Sequence, residues 1–409
     1  MDKLPRPAAA ERPETQAVHA GRRQQIPSNP ASSSALFQAS SYEFADLEDV
    51  DAIYAGERDG AIYGRYGGPN GAQLEAAMAQ LEGAEAAAAA ASGMAAIGAT
   101  IASSLAPGGT LVAARELYGG TLDLLENDLQ QAGIRLAYVD QADLPAVAAA
   151  LSGPPPRALF VEALTNPLVH VADLPALASL ARAAGAVSIV DATFATPMLV
   201  RPIDHGFDLV VHSVGKYLAG HGDVGAGVVS GASAAIARIR SRLIRTGATV
   251  AHFEAWLALR GLRTLALRME RHSANARAVA TYLSGVDAVS AVHHPSLPAH
   301  PQYELAARLY PRGTGGIVAF DVRGGREAVR AFLRGLRRIA IVHSLGEVAS
   351  TISYSVASSH RSMPADARLA LGVGDGTLRL SVGIEHSDDI VADLAAAFAN
   401  AGLSARVRG

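Results

Sequence analysis

Apolar residues along the chain fall into two alternating patterns. From about residue 72, Leu74, Met78 and Leu81 recur at the spacing of one helix face. Short apolar runs rich in β-branched residues follow: Thr110–Ala114, Arg135–Val139, Ala158–Glu162, Val187–Asp191, Leu209–His212 and Gly225–Ser230. Between most of them lie stretches of helical periodicity, Thr121–Ala132, Leu144–Leu151 and Leu174–Ala184. Such strands alternating with helices predict an α/β fold, a parallel sheet covered by helices on both faces. Functional residues in such a sheet gather beyond the carboxyl ends of the strands.

The flanks read differently. Pro27, Pro30 and the Ser32–Ser34 run punctuate the first 62 residues, whose periodicity is weak apart from a helical patch over Ala45–Tyr54. An arm of this kind cannot bury its own apolar residues and is expected to lie on another surface, such as a second subunit. After the strand region comes a long helical stretch, Phe253 to about Leu283, with Trp256, Leu259, Leu262, Leu265 and Met269 along one face. It is expected to bridge to a smaller region with strands at Ile317–Val322 and Leu378–Val382 and helices at Arg326–Leu333 and Asp389–Ala399. The predicted organisation is an extended arm over 1–62, a large domain over 63–258 and a smaller α/β domain over 259–409.

Composition narrows the function classes. Half of the 409 residues are hydrophobic and 18% are charged, as in ordinary globular chains. A net charge of −3 favours neither nucleic acid nor an anionic membrane. Cysteine is absent, which excludes disulfides, zinc-thiolate sites and cysteine nucleophiles and fits a reducing compartment. No run approaches the roughly 18 apolar residues of a membrane span. The charged, proline-rich Met1–Pro13 segment has no apolar signal core. The expected setting is the cytoplasm, with no membrane, nucleic-acid or metal partner.

Two strand ends carry the chemistry. In V-S-I-V-D (Val187–Asp191) a carboxylate closes an apolar strand, where a lone aspartate would more often cap a turn. In D-L-V-V-H-S-V-G-K-Y (Asp208–Tyr217) a second apolar strand runs into Ser213 and Lys216, ahead of the glycine-rich stretch Gly220–Gly227. A lysine is among the residues least often buried, so this placement asks for a reason. A Schiff base supplies one, because the imine removes the ammonium. Pyridoxal 5'-phosphate (PLP) needs this pair: a lysine to hold it, and a buried aspartate to keep its ring nitrogen protonated. The two residues lie 25 positions apart, consistent with strand, connection, strand. A third element, A-S-G-M-A (Ala91–Ala95), is a small-residue turn opening a helix, whose N-terminal N–H groups can hold a phosphate. A fourth, L-Y-G-G-T (Leu117–Thr121), sets Tyr118 after a strand.

In this order the motifs resemble the Cys/Met-metabolism PLP enzymes, which include cystathionine γ-synthase, cystathionine γ-lyase, methionine γ-lyase and the homoserine-ester sulfhydrylases. Matching runs are E-T-Q-A-V-H-A-G (Glu14–Gly21), L-E-G-A-E (Leu81–Glu85), S-G-M (Ser92–Met94), L-Y-G-G-T, T-N-P (Thr165–Pro167), V-D-A-T-F (Val190–Phe194), H-P-Q-Y-E-L-A (His300–Ala306), S-L-G (Ser344–Gly346) and L-R-L-S-V-G-I-E (Leu378–Glu385). The resemblance implies a PLP-dependent transferase of fold type I, with a mostly parallel seven-stranded sheet in the large domain. It implies Lys216 as the Schiff-base lysine, Asp191 as the pyridinium partner, and Tyr118 stacked on the ring and assisting proton transfer. Gly93, Met94 and Ser213 would bind the cofactor phosphate, and Tyr63 and Arg65 would reach the phosphate of a neighbouring subunit. Arg379, with Ser344 beside it, would bind the substrate α-carboxylate, and His343 would touch specificity. Two subunits would build each site, in a homotetramer arranged as a dimer of dimers.

Departures from the family pattern bear on substrate. Gly215 stands where a hydroxyl is expected at the phosphate, so Gly215→Thr is expected to tighten PLP. Gly68 and Asn70 alter the Y-x-R-x-x-N-P-T run, and Val348–His360 lacks the usual E-S-L and H-P. Gly120 replaces a cysteine typical of dedicated methionine γ-lyases. The expected function is γ-elimination or γ-replacement on a homoserine- or homocysteine-derived amino acid, of the cystathionine γ-lyase or γ-synthase type. The alternatives are an O-acyl-homoserine sulfhydrylase, a methionine γ-lyase, a β-lyase, or a PLP-binding protein without turnover.

Overall fold

The apolar runs of the middle region assemble into one seven-stranded sheet: β1 (Ala86–Ala90), β2 (Thr110–Ala114), β3 (Arg135–Val139), β4 (Arg157–Glu162), β5 (Val187–Asp191), β6 (Leu209–Ser213) and β7 (Gly227–Gly231). The structure is a computed structural model describing residues 31–358, 360, 361, 363–404 and 406. The Glu14–Gly21 run and residues 1–30 of the expected arm therefore lie outside the described residues. Leu36–Gly409 forms one compact unit.

Spatial order in the sheet is β1-β7-β6-β5-β4-β2-β3. The pairs β2/β3, β2/β4, β4/β5 and β5/β6 are parallel, and β7 alone runs against its neighbours β6 and β1. The mostly parallel sheet expected from the sequence is thus observed. β1 is five alanines, and no strand is expected there from a sequence without β-branched or aromatic residues. Its tertiary setting overrides propensity. Small side chains let β1 lie close under α1 (Pro69–Glu82) and α2 (Gly93–Ser104), with its last four residues buried.

The long helical stretch is two helices, α3 (His252–Leu262) and α4 (Leu265–Gly285), separated at Arg263–Thr264. The break changes the buried face. α3 buries His252, Ala255, Ala258 and Gly261 rather than Trp256, Leu259 and Leu262. Gly261 explains this: a Cβ there would lie 2.3 Å from the Ala219 carbonyl oxygen, so only glycine permits the contact. α4 then serves two cores. Leu265 and Met269 pack with the large sheet, while Ala276, Val279, Ala280 and Leu283 pack with a second sheet.

That second sheet has five strands, β8 (Val289–His293), β9 (Ile317–Val322), β10 (Ala340–Ile341), β11 (Thr351–Tyr354) and β12 (Thr377–Ser381), in the order β10-β11-β12-β9-β8. β12 is interior, between β11 and β9, so Arg379 within it is not the surface charge of an edge strand. α5 (Gly325–Gly335) and α6 (Ser387–Asn400) cover this sheet through Phe332, Leu394 and Phe398. Among the described residues no helix is long and apolar enough to cross a membrane.

Candidate active site

The carboxyl ends of β4, β5 and β6 and the start of α2 open onto one cavity of about 230 Å³. Gly93, Met94, Tyr118, Asp191, Ser213, Lys216, His343 and Arg379 all line it. Residues expected from scattered motifs, from position 93 to position 379, thus meet in one place.

β5 ends at Asp191, whose Oδ1 accepts a hydrogen bond from the Thr193 backbone N–H at 2.9 Å. The Thr193 hydroxyl oxygen accepts from the Ser213 N–H at 2.8 Å, which ties the end of β5 to the end of β6. Burial raises the Asp191 pKa, while the Thr193 bonds and His212 pull it back toward the charged form. After β6 the chain turns tightly, and Lys216 Nζ donates to the Ser344 hydroxyl at 3.1 Å. Burial and then Arg379 push the Lys216 ammonium below the ordinary lysine range, against an opposite pull from Glu347.

α2 begins against this turn. Ser92 is its N-cap, with its hydroxyl accepting from the Ala95 N–H at 3.1 Å. The N–H groups of Gly93 and Met94, at the first two helical positions, have no acceptor within the helix. Gly93 is required by space, because a Cβ would lie 2.8 Å from that of Ser213. Gly215 is tighter still. A Cβ there would sit 2.1 Å from the Val224 carbonyl oxygen. This overturns the expectation that Gly215→Thr improves the site: the main chain of the Gly220–Gly227 segment occupies the space a threonine would need.

Arg379 is buried, and its two Nη groups donate to Asn166 Oδ1 at 3.0 Å and to the Ser344 carbonyl oxygen at 3.1 Å. Its Nε–H has no partner among the described residues. Ser344 therefore touches both Lys216 and Arg379 within one residue. His343, next to it, is exposed at the cavity mouth.

Tyr63 and Arg65 do not line the cavity. Tyr63 is exposed, and Arg65 donates to the Ile244 carbonyl oxygen at 2.9 Å and stacks over Tyr66 at 4.9 Å. Gly68, one of the positions that depart from the family run, lies against His252: a Cβ would be 2.2 Å from its Cε1.

Three residues at the site escape sequence reasoning: Glu162, Asn166 and Thr193. Glu162 ends β4 beside Asp191 and accepts from the N–H groups of Tyr118 at 2.6 Å and Asn166 at 3.1 Å. The signal for it was its place at a strand end, the same signal that marks Asp191. Asn166 and Thr193 stood inside matched motifs.

Comparison with known proteins agrees with this geometry. The sequence model of the Cys/Met metabolism PLP-dependent enzymes matches residues 14–399. An L-methionine γ-lyase from Pseudomonas putida is 41% identical over 88% of this chain and 90% of its own length. An O-succinylhomoserine sulfhydrylase from Pseudomonas aeruginosa is 40% identical over 93% of this chain and 94% of its own. Among solved structures, a cystathionine γ-synthase from Xanthomonas oryzae pv. oryzae superposes with a TM-score of 0.85 at 35% identity, covering 91% of this chain and 94% of that one.

Proposed function

The chain belongs to the Cys/Met metabolism PLP-dependent enzymes, and from that premise we propose that it eliminates or replaces the γ-substituent of a homoserine- or homocysteine-derived amino acid, in the manner of cystathionine γ-lyase or γ-synthase. The observation that carries the reading is the joint placement of Lys216, Asp191 and Arg379 on one cavity. The residues present fit the cofactor: a lysine with a lowered pKa, a strand-end carboxylate, and a helix N-terminus held open by Gly93 against Ser213.

When bound, PLP supplies an aldehyde for an amine and an electron-poor ring that takes up the electron pair of the Cα–H bond. Lys216 would hold it, Asp191 would keep its ring nitrogen protonated, and Gly93, Met94 and Ser213 would hold its phosphate. Tyr63 and Arg65 of a second subunit would complete that phosphate site, because their own cavity does not receive them.

Each remaining role belongs to a side chain. Lys216, as a free amine, would take the Cα proton, and its lowered pKa favours the neutral form this needs. Ser344 accepts a hydrogen bond from Lys216 Nζ and aims it. Arg379 binds the α-carboxylate, with its orientation fixed by Asn166 and the Ser344 carbonyl. Tyr118 assists proton transfer as the γ-substituent leaves. His343 meets that substituent at the cavity mouth. Gly120 supports the cystathionine type over a methionine γ-lyase. A Cβ there would lie 2.6 Å from the Tyr118 ring, so the cysteine of methionine γ-lyases would demand a different ring position.

A homotetramer in the cytoplasm is the proposed assembly and compartment. The cysteine-free composition supports a reducing setting, and the outward Tyr63 and Arg65 support a shared site.

Two measurements test the proposal. Borohydride reduction should fix the cofactor on Lys216, and an adduct on another lysine would sink the assignment. The purified protein should then be offered cystathionine, methionine, homocysteine, O-acetylhomoserine and O-succinylhomoserine, with and without a thiol. A 2-oxo acid with ammonia, or a new thioether, is expected. No product from any γ-substituted amino acid would refute the reading.

A further inference from the structure

Glu162 is a carboxylate with almost no solvent exposure, at 5%, and the catalytic roles above make no use of it. Its two oxygens serve two different loops. Oε1 accepts from the Tyr118 N–H at 2.6 Å, and Oε2 accepts from the Asn166 N–H at 3.1 Å. The Asn166 side chain in turn accepts from Arg379 at 3.0 Å. One carboxylate at the end of β4 thus reaches the tyrosine on one flank of the cavity and, through one intermediary, the arginine on the other.

We propose that Glu162 is a positioning residue that fixes the Asn166–Arg379 pair in register with Tyr118, and so sets the site's preference for a substrate bearing an α-carboxylate. The proposal deepens the reading above and rests on it. Placing a carboxylate here is unfavourable on other grounds, since burial and the neighbouring Asp191 both raise its pKa. Its place is explained by what it holds. Two short connections, 115–118 and 163–169, leave their strands at this point. Without a shared acceptor each would settle independently. Glutamine has the shape of Glu162 but one acceptor oxygen, so it can serve one N–H and must turn an NH₂ toward the other.

The test uses the cofactor-loaded protein and a ligand pair that cannot react. 2-Hydroxybutyrate carries the α-carboxylate but no amine, and its primary amide lacks the carboxylate charge. Calorimetric titration of the unaltered protein should show the acid bound ~10-fold or more tighter than the amide, as a charged hydrogen-bonded pair implies. Glu162→Gln should bring the two affinities to within about threefold, with amide binding and melting temperature little changed. Glu162→Asp, which keeps both acceptors but withdraws them, should restore part of the preference. Should Glu162→Gln fail to fold, Asn166→Ala cuts the same path at the Asn166 side chain and should abolish the preference likewise. A preference retained in Glu162→Gln or in Asn166→Ala overturns the proposal, as does equal weakening of acid and amide, the mark of a merely structural staple. An unaltered protein that does not distinguish acid from amide would remove Arg379 from carboxylate binding, and the proposal with it.

Discussion

Lys216 is the residue whose surroundings say most about its chemistry. Burial and the Arg379 charge disfavour its ammonium, and Glu347 favours it. In the cofactor-free protein, the amine should therefore acylate with a pH midpoint below the ordinary lysine value of about 10.4. Removing the like charge in Arg379→Gln should move that midpoint up, and removing the opposite charge in Glu347→Gln should move it down. Mass-spectrometric mapping of Lys216 labelling across pH checks both signs, and no response to either variant would mean that burial alone sets the value. Asp191 makes a second case. In the proposed role its carboxylate would stabilise charge that develops during the reaction more than it binds the cofactor, so Asp191→Ala should lose ~100-fold or more in kcat. PLP affinity should fall far less; a variant with near-normal turnover and weak cofactor binding would reverse the assignment. The lysine, the aspartate and the arginine were legible in the sequence because each sits at a strand end or inside a long motif. Glu162 carried the strand-end signal alone, and no motif around it shows that its oxygens serve two segments.

Elements were legible where one physical signal dominated. The β-branched strands β2 to β6 fall within one or two residues of their expected bounds, and α4 does join the two cores. Periodicity failed where close backbone approach replaced side-chain burial. β1 has only alanines to show, and α3 buries a stripe of small residues on which no hydrophobic pattern is visible. The turn that presents Lys216 is the sharpest example. Buried Arg268 donates to the carbonyl oxygens of Tyr217 at 2.5 Å, Leu218 at 3.1 Å and Gly261 at 2.8 Å, so one guanidinium pins the turn to α3. On the other side Gly215 admits the Val224 carbonyl. Even Gly215→Ala must move that main chain, and an overpacked site of this kind costs about 1–3 kcal/mol or more. Gly215→Ala should lower the melting temperature and reduce the fraction of Lys216 found as the borohydride-stable adduct. A variant with unchanged melting and full adduct would show that the turn yields freely.

At the scale of the molecule, the buried histidines and the proposed shared site each carry a prediction. Burial holds His272 at about 4, His294 at about 3, and His300 and His360 at about 4. In the unfolded chain these rings take up protons near pH 6.5, so the folded state loses stability as pH falls from there toward 4. The raised Glu162 and Asp191, and His170 raised by its hydrogen bond to Glu116, oppose this, because their folded forms bind protons first. Four lowered rings against these three raised groups predict a net fall in melting temperature, on the order of 5 °C between pH 7 and pH 5. In His272→Asn the donor to the Val382 carbonyl can be kept without a titrating ring, and the fall should shrink. Melting that is flat across this range would show that the rings are charged when folded. The shared site is tested by mixing inactive chains. Arg65 lies in the residues that precede the sheet, bonds to Ile244 in its own chain, and stays away from its own cavity. If it serves a neighbour, an Arg65→Ala chain still offers Lys216, and a Lys216→Ala chain still offers Arg65. A hybrid dimer of the two then contains one site with both halves intact. With free exchange half of the dimers are hybrids and half of their sites are whole, so activity should recover to about a quarter of the unaltered protein. Native mass spectrometry of the mixture establishes that exchange took place. Hybrids present in full but without activity would place the whole site within one chain, and Arg65 would then serve only its bond to Ile244 in its own chain.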